Sequence, residues 1–409
     1  MGMRGFLKRV VATLILGFTH TALAELNLYT FNAPPYQVVD RDSAIGTIVR
    51  GETVEAVVCG VGLAGSSVSV RVAPQNRAVH ALRRNLIDGY FAIDSSDELD
   101  RVGVPTAPIA LEKWYFFSGK ADIDPRNARL GVVSGSNEEL WLKRNGYDVF
   151  LGVSTVEQLI ALIHRGRIDA ALMDKRVMEN LHNEPEAPDL VLHHQFLRYT
   201  PLHLYLSRSF TANNPGFIDE FNRFIPDCVT PRFELDEHEK ELLAAQAELL
   251  LSDLKQNLSV GEAIRLGPRV DSFADILTID LKWQALAPQS VPPMAADILR
   301  LPASEQLGRW QAKHSDLVTE AMVTNNLGTV VAMSQLTSDF WQGDEPKFQQ
   351  IADGGGKTLY LSPIRYDAST QRFQVIASTP ILSEEAGAIE GTLVIGLDIE
   401  AALSRLDRD

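Results

Sequence analysis

The sequence predicts a two-lobed α/β unit hinged around a crevice, followed by a helical stretch and a separate α+β unit. Three observations predict it. First, residues 80–94 read HALRRNLIDGYFAID and residues 160–174 read IALIHRGRIDAALMD. Each starts at an Ala-Leu pair, reaches an Ile-Asp turn, and runs through small and apolar residues to an aspartate, Asp94 or Asp174. A helix, a tight turn and a buried strand that stops at a polar residue make half of a βαβ unit. Two such lobes leave a crevice where their strand ends meet, and crevices of that kind bind small molecules. Second, residues 234–264 form one long charged amphipathic pattern. Third, the chain beyond it passes from helical patterns to strand-like runs separated by polar, Gly- and Asp-containing segments, the mark of an α+β unit.

The elements follow in order. Leu26 to Phe31 alternate as a first strand, which Ala33-Pro34-Pro35-Tyr36 ends in an extended turn. Residues 47–60 read as a helix, and Val68, Val70 and Val72 alternate in a second strand. A helix over 76–86 and a strand over 89–93 come next, then a loop to Pro108 and the aromatic strand Trp114-Tyr115-Phe116-Phe117. The second lobe opens at 129–133 and turns through Ser134-Gly135-Ser136 into a helix over 137–145, closed by Asn145-Gly146. In a helix over 155–165, Val156, Leu159, Ile160 and Ile163 share one face. Strands near 169–173, 189–193 and 202–206 and a helix near 215–226 complete the unit. The stripe Leu243, Leu250, Leu254 and Leu258 of the long helix covers its own protein or forms a dimer seam, although Gln246, Ala247 and Ser252 break a clean heptad. Helices over 271–282 and 304–324 flank a break at Pro288, Pro292 and Pro293, and strands are expected over 328–333, 357–362, 373–378 and 392–397.

The chain has 409 residues, enough for two or three domains, and a formal net charge of −15. That charge argues against nucleic acid, whose binding needs Lys and Arg on phosphates. Arg4, Lys8 and Arg9 precede the apolar run Val10 to Phe18, and Ala22-Leu23-Ala24 forms an A-x-A cleavage signature. Residues 1–24 are therefore expected to be a cleaved export signal, which places the mature chain in the periplasm; the apolar run is short for a membrane span. Cys59 and Cys228 either pair in that oxidising compartment or remain two buried thiols. No zinc-ligand spacing, G-x-S-x-G, P-loop or H-E-x-x-H is present, so no catalytic residue, metal or cofactor is expected. Asp353-Gly354-Gly355-Gly356-Lys357 lacks the P-loop spacing and reads as a turn.

The first unit, 25–229, resembles the type 2 periplasmic solute-binding proteins of the family-3, amino-acid-binding branch. The resemblance is carried by Pro34-Pro35-Tyr36, Gly46, Arg77-Ala78 to Asp88-Gly89, Leu130 to Ser136 and Gly166 to Asp174, in their order and spacing. Residues 230–263 then form a helical linker. The last unit, 264–409, looks like a Cache (PDC) sensor domain, an extracytoplasmic relative of PAS. Its carriers are Val323 to Ala332, Thr337 to Glu345, Tyr360-Leu361-Ser362, Arg365-Tyr366-Asp367, Ser378 to Ile381 and Glu390 to Asp398.

Candidate binding residues follow. The first resemblance implies that Tyr36 supplies an aromatic floor between the lobes and that Asp174 holds a ligand ammonium, with Asp94 at the matching point of the first lobe. Ser134 and Ser136 precede a helix whose free N–H groups suit a carboxylate or phosphate, unless the serines simply cap it. The family's carboxylate-clamping Arg falls on Leu99, so Arg101, two residues late, is the nearest substitute, and Arg77 starts a helix that often faces the cleft. The second resemblance implies that Asp339, Trp341, Tyr360, Arg365 and Asp398 line a second ligand pocket.

Together these features predict an exported, non-enzymatic sensor that binds a small carboxylate- or amine-bearing solute. Its expected partner is a membrane receptor: a kinase, cyclase or chemoreceptor. The alternative is a binding protein feeding an ABC permease, and a third reading is a dehydratase of the same fold.

Overall fold

A computed structural model describes residues 25–40, 48–182, 192–229, 233–270, 272–287, 290–353, 358–367, 372–383 and 387–406. The export segment, Gly46 and the glycine run 354–356 lie outside the described residues.

The first lobe contains β1 (Glu25–Thr30), β2 (Val38–Asp40), β3 (Ile48–Arg50), α1 (Glu52–Leu63), β4 (Ser67–Val72), α2 (Gln75–Arg83), β5 (Gly89–Asp94), α3 (Asp97–Val102) and β6 (Gly103–Pro105). Next come β7 (Ala110–Ser118), then β8 (Leu130–Val133), α4 (Asn137–Arg144), β9 (Val149–Val153), α5 (Val156–His164), β10 (Ala170–Asp174) and α6 (Lys175–His182) of the second lobe. The chain returns through β11 (His193–Ser207) to α7 (Arg208–Asn213) and α8 (Phe217–Cys228). Side-chain caps start several helices: Ser96 for α3, Ser136 for α4, Thr155 for α5 and Ser207 for α7 each accept a backbone N–H of the first turn.

Among the described residues, nine of these strands form one mixed sheet in the order β4-β1-β5-β11-β7-β10-β8-β9, with β6 against β11. Parallel strands build each lobe: β4-β1-β5 in the first, β10-β8-β9 in the second. The antiparallel pair β7 and β11 runs through both. β11 pairs with β5 through Leu202–Leu206 and with β7 from His193 to Leu202, so a single strand of 15 residues, about 50 Å when extended, joins the lobes. The sequence suggested two separate strands here, near 189–193 and 202–206. Gln195, Arg198 and Thr200 interrupt the apolar pattern, but each has a register partner on β7.

The initial helix expected over 47–60 begins only at Glu52, because Ile48–Arg50 pair with β2 instead. Cys59 and Cys228 form a disulfide joining α1 to α8, with Cα atoms 5.7 Å apart. This settles the alternative left open by the sequence.

The C-terminal half contains α9 (Glu237–Asn257), α10 (Val260–Leu266), α11 (Phe273–Leu286), α12 (Pro293–Leu299), α13 (Pro302–Lys313), β12 (Val318–Asn325), β13 (Val330–Met333), α14 (Pro346–Ala352), β14 (Tyr360–Leu361), β15 (Arg365–Asp367), β16 (Arg372–Leu382), β17 (Ile389–Asp398) and α15 (Ile399–Leu406). The long helix expected to reach 264 ends at Asn257, because buried Leu258 is extended. Likewise the helix expected over 304–324 stops at Lys313, and its β-branched end becomes β12. An antiparallel sheet follows in the order β13-β12-β17-β16-β14, with β15 on β16.

The apolar stripe of α9 is covered by its own protein. Leu243, Leu250 and Leu254 share one continuous core with Tyr115, Leu159 and Met173 of the second lobe and with Val375, Leu393 and Leu397 of the C-terminal sheet. The first lobe has a core of its own around Leu28, Val57, Phe91 and Phe221.

Candidate functional site

The crevice lies where β5 and β10 end, and β7 with β11 forms its floor. Register fixes the floor: Asp94 lies opposite Leu202, Thr200 opposite Glu112, and Asp174 opposite Trp114. Directly opposed residues point to the same face. Asp94, Thr200, Glu112 and Asp174 therefore form a row across four strands.

The lobes are tied across this row. The Tyr36 hydroxyl donates to Asp174 Oδ2 at 2.5 Å, while Asp174 Oδ1 accepts the N–H groups of Lys113 and Arg176 at 3.0 and 3.3 Å. Arg176 pairs with Glu52 of the first lobe at 2.7 Å, its guanidinium 5.0 Å from the Tyr36 ring centre. At the other end, Arg144 of α4 reaches Asp94 at 3.1 Å and the Ser95 carbonyl at 2.9 Å. Asn137 accepts the Asp94 N–H and donates to the Ala92 carbonyl at 3.2 Å. Ala92 sits at a bulge with φ 64°, an unusual conformation for alanine that cants its carbonyl toward α4.

Burial dominates the electrostatics. It raises the Glu112 carboxyl well above the usual range, helped by Glu138, Asp174 and Asp94 and opposed by the Trp114 Nε1 hydrogen bond at 2.9 Å. Burial pushes the half-buried Glu138 up to about 7. It also raises Asp174, against the hydrogen bonds from Tyr36, Lys113 and Arg176, and raises Asp94, against Arg198 and Arg144.

Tyr36, Asp94 and Asp174 thus meet at one crevice. Ser136 caps α4 and the Gly135 N–H goes to Glu139 at 2.6 Å, so this helix end is occupied by its own side chains; Ser134 is exposed. Arg77 is exposed on the first turn of α2, beyond the edge strand β4. Arg101 is not brought to the crevice. It ends α3 beside Gly103, which lies opposite Ser207 at the end of the sheet where β5 starts, away from Asp94. Sequence reasoning missed Glu112, Asn137, Glu138, Arg144, Arg176 and Thr200. The available signal was Glu112-Lys113, a charged pair inside a run that is otherwise aromatic and apolar.

In the C-terminal sheet, Tyr360 lies opposite Ser378, and Arg365 lies opposite Gln374, which faces Asp398. Asp339, Tyr360 and Arg365 surround a Glu345–Lys347 pair. Arg365 is 3.4 Å from Glu345, and Lys347 is 3.2 Å from it and buried. Burial and then Glu345 push Asp339 up to about 6, and it accepts a hydrogen bond from Gln342. The other two expected residues have structural contacts. Trp341 packs edge-on against Phe273 of α11, and Asp398 pairs with Arg372 at 3.0 Å and accepts the Ala401 N–H.

The opposite face of the crossing strands is gripped by the C-terminal half. Lys113 Nζ lies 2.5 Å from Glu239 on α9, both buried, and Glu239 also accepts from the Tyr199 hydroxyl at 2.7 Å. The Tyr199 N–H donates to Glu400 of α15 at 2.8 Å, next to the irregularity at Phe196 and Arg198. Asp236, which caps α9, pairs with Lys175 of α6 at 2.5 Å.

Among the described residues no helix is long and apolar enough to cross a membrane. No protein-family model matches the chain, and no curated protein matches it. Similar solved structures exist for about half of it. One is a histidine kinase sensor domain with similarity to periplasmic binding proteins, at 17% identity and a TM-score of 0.41, covering 49% of this chain and 90% of the other. Another is an ancestral arginine-binding protein bound to arginine, at 16% identity and a TM-score of 0.39, covering 50% and 92%. A third is a putative ABC-transporter binding component from Wolinella succinogenes complexed with lysine, at 16% identity and a TM-score of 0.39, covering 49% and 88%.

Proposed function

We propose that the protein is an exported, non-enzymatic sensor: its two-lobed unit closes on a small solute, and its C-terminal half relays closure to a membrane signalling partner. One observation carries this reading. The strands that must flex for the lobes to move are bonded on their reverse face to α9 and α15 through Lys113–Glu239 and Tyr199–Glu400. Closure shifts the population of hinge geometries, and any group bonded to the hinge shifts with it. The sensor reading of the C-terminal half is supported by its build. Numbered along the chain, its six described strands run 2-1-6-5-3 with the fourth beside the fifth, an antiparallel sheet behind a helical lead, as expected of the α+β unit that carries the Cache resemblance.

The test is a thermal-shift screen of metabolites on the intact chain, since a ligand of the native state raises its melting point. Hydrogen exchange is then measured with and without the best hit. The proposal expects altered protection in α9 and α15 as well as at the crevice. Changes confined to the two lobes, with loss of solute uptake in a deletion strain, would move the protein to transport. Turnover of the hit would move it to the enzymes.

A further inference from the structure

We infer that the crevice recognises an organic cation, through a primary ammonium or guanidinium group placed among Asp94, Glu112, Glu138, Asp174 and Thr200, and that among the described residues it has no clamp for a ligand carboxylate. This inference rests on the crevice being the solute site.

Two independent observations carry it. The first is the charge inventory. Asp94, Glu138 and Asp174 all act electrostatically on Glu112, whose own hydrogen-bond partner is the neutral Trp114 indole. The nearby cations already have partners. Arg144 is engaged by Asp94 of the row itself and by the Ser95 carbonyl, and Arg176 by Glu52. Arg198 lies over the Trp114 and Trp141 rings and donates to the Tyr199 carbonyl. Arg101 is at the wrong end of the sheet. A ligand carboxylate would meet acids without a free bidentate guanidinium.

The second is Thr200. Its hydroxyl is fully buried and has no hydrogen-bond partner, a costly arrangement for a native side chain. It lies opposite Glu112 on β7 and two positions before Leu202, which lies opposite Asp94 on β5. The hydroxyl therefore projects between two carboxylates, where a ligand N–H would satisfy it. Arg144 already places a guanidinium on Asp94 from across the crevice, which shows that the row accepts this group.

The test is calorimetric titration of the intact chain with agmatine, putrescine and glutarate at matched ionic strength, with circular dichroism to confirm folding of each variant. Saturable binding of agmatine or putrescine is expected, weakened at least tenfold by Glu112→Gln and by Thr200→Val and unchanged by Arg77→Ala. Saturable glutarate binding without amine binding would overturn the cation assignment and leave the crevice as the solute site. Amine binding that ignores both floor variants would place the cation elsewhere and overturn the inference. No binding by any of the three would also overturn it, and a blank in the wider metabolite screen would then remove the solute site itself.

Discussion

The Lys113 ammonium and the Glu239 carboxylate lie 2.5 Å apart with both side chains almost fully enclosed, joining a crossing strand to the first turn of α9. Removing one member of a buried pair strands the other charge, at a cost of about 3–5 kcal/mol. Lys113→Met is expected to lower stability by that amount in urea unfolding. Adding Glu239→Leu is expected to recover only part of it. The Tyr199 hydroxyl and the Asp236 N–H both depend on Glu239, and the double variant leaves them unpaired. Full recovery would mean that the pair is isolated from this network.

Glu138 sets a pH dependence. Its carboxyl titrates near 4.5 when unfolded and is pushed up to about 7 in the fold, first by burial and further by Asp174. Below the lower value both states hold the proton, so there is no penalty. Between the two values the unfolded chain ionises while the folded one does not, and stability falls as pH rises, by up to about 1.4 kcal/mol per pH unit. Glu112 and Asp174, raised by the same burial, act in the same direction. The protein is expected to melt higher at pH 5 than at pH 7.5, and Glu138→Gln is expected to flatten that difference. A profile that rises across this interval would contradict the burial described here.

The Arg144–Asp94 contact is expected to hold the lobes shut. Arg144→Met leaves Asp94, 3% exposed, without its nearest cation. Losing a hydrogen bond to a buried charge costs about 2 kcal/mol. Small-angle scattering is expected to show a larger radius of gyration for the variant, and an unchanged radius with unchanged stability would remove this contact from the closing mechanism.

Cys59–Cys228 closes a loop across 169 positions. Replacing both cysteines by serine is expected to cost about 2–4 kcal/mol in urea unfolding. Reductant is expected to reproduce the loss in the native chain and to leave the double variant unaffected.

The internal similarity between 80–94 and 160–174 located Asp94 and Asp174 correctly at the ends of β5 and β10, because each half-unit carries its own turn and strand signal. The floor between them was not legible. β7 is buried along its whole length, so it shows no alternation that would assign Glu112 to a face. Thr200 and Arg198 looked like a break between two strands because their β7 partners are more than 80 positions away. Arg101 looked close to the clamp position in sequence, but α3 carries it back along the lobe to Gly103. In the C-terminal half, the segments that bring Asp339, Tyr360 and Arg365 near one another were legible. Glu345 and Lys347, which connect them, lie at the start of α14, a short helix whose amphipathic signal is weak.

The distribution of apolar filling determines which part swings. The second lobe, α9 and the C-terminal sheet are built on shared packing, whereas the first lobe is packed separately and stapled to α8. On the sensor reading proposed above, the first lobe is the pointer and the shared body is the dial. An outside protein gripping only the dial would meet the event through contacts such as Tyr199–Glu400, Lys113–Glu239 and Lys175–Asp236, whereas one that spans both parts would read the angle directly.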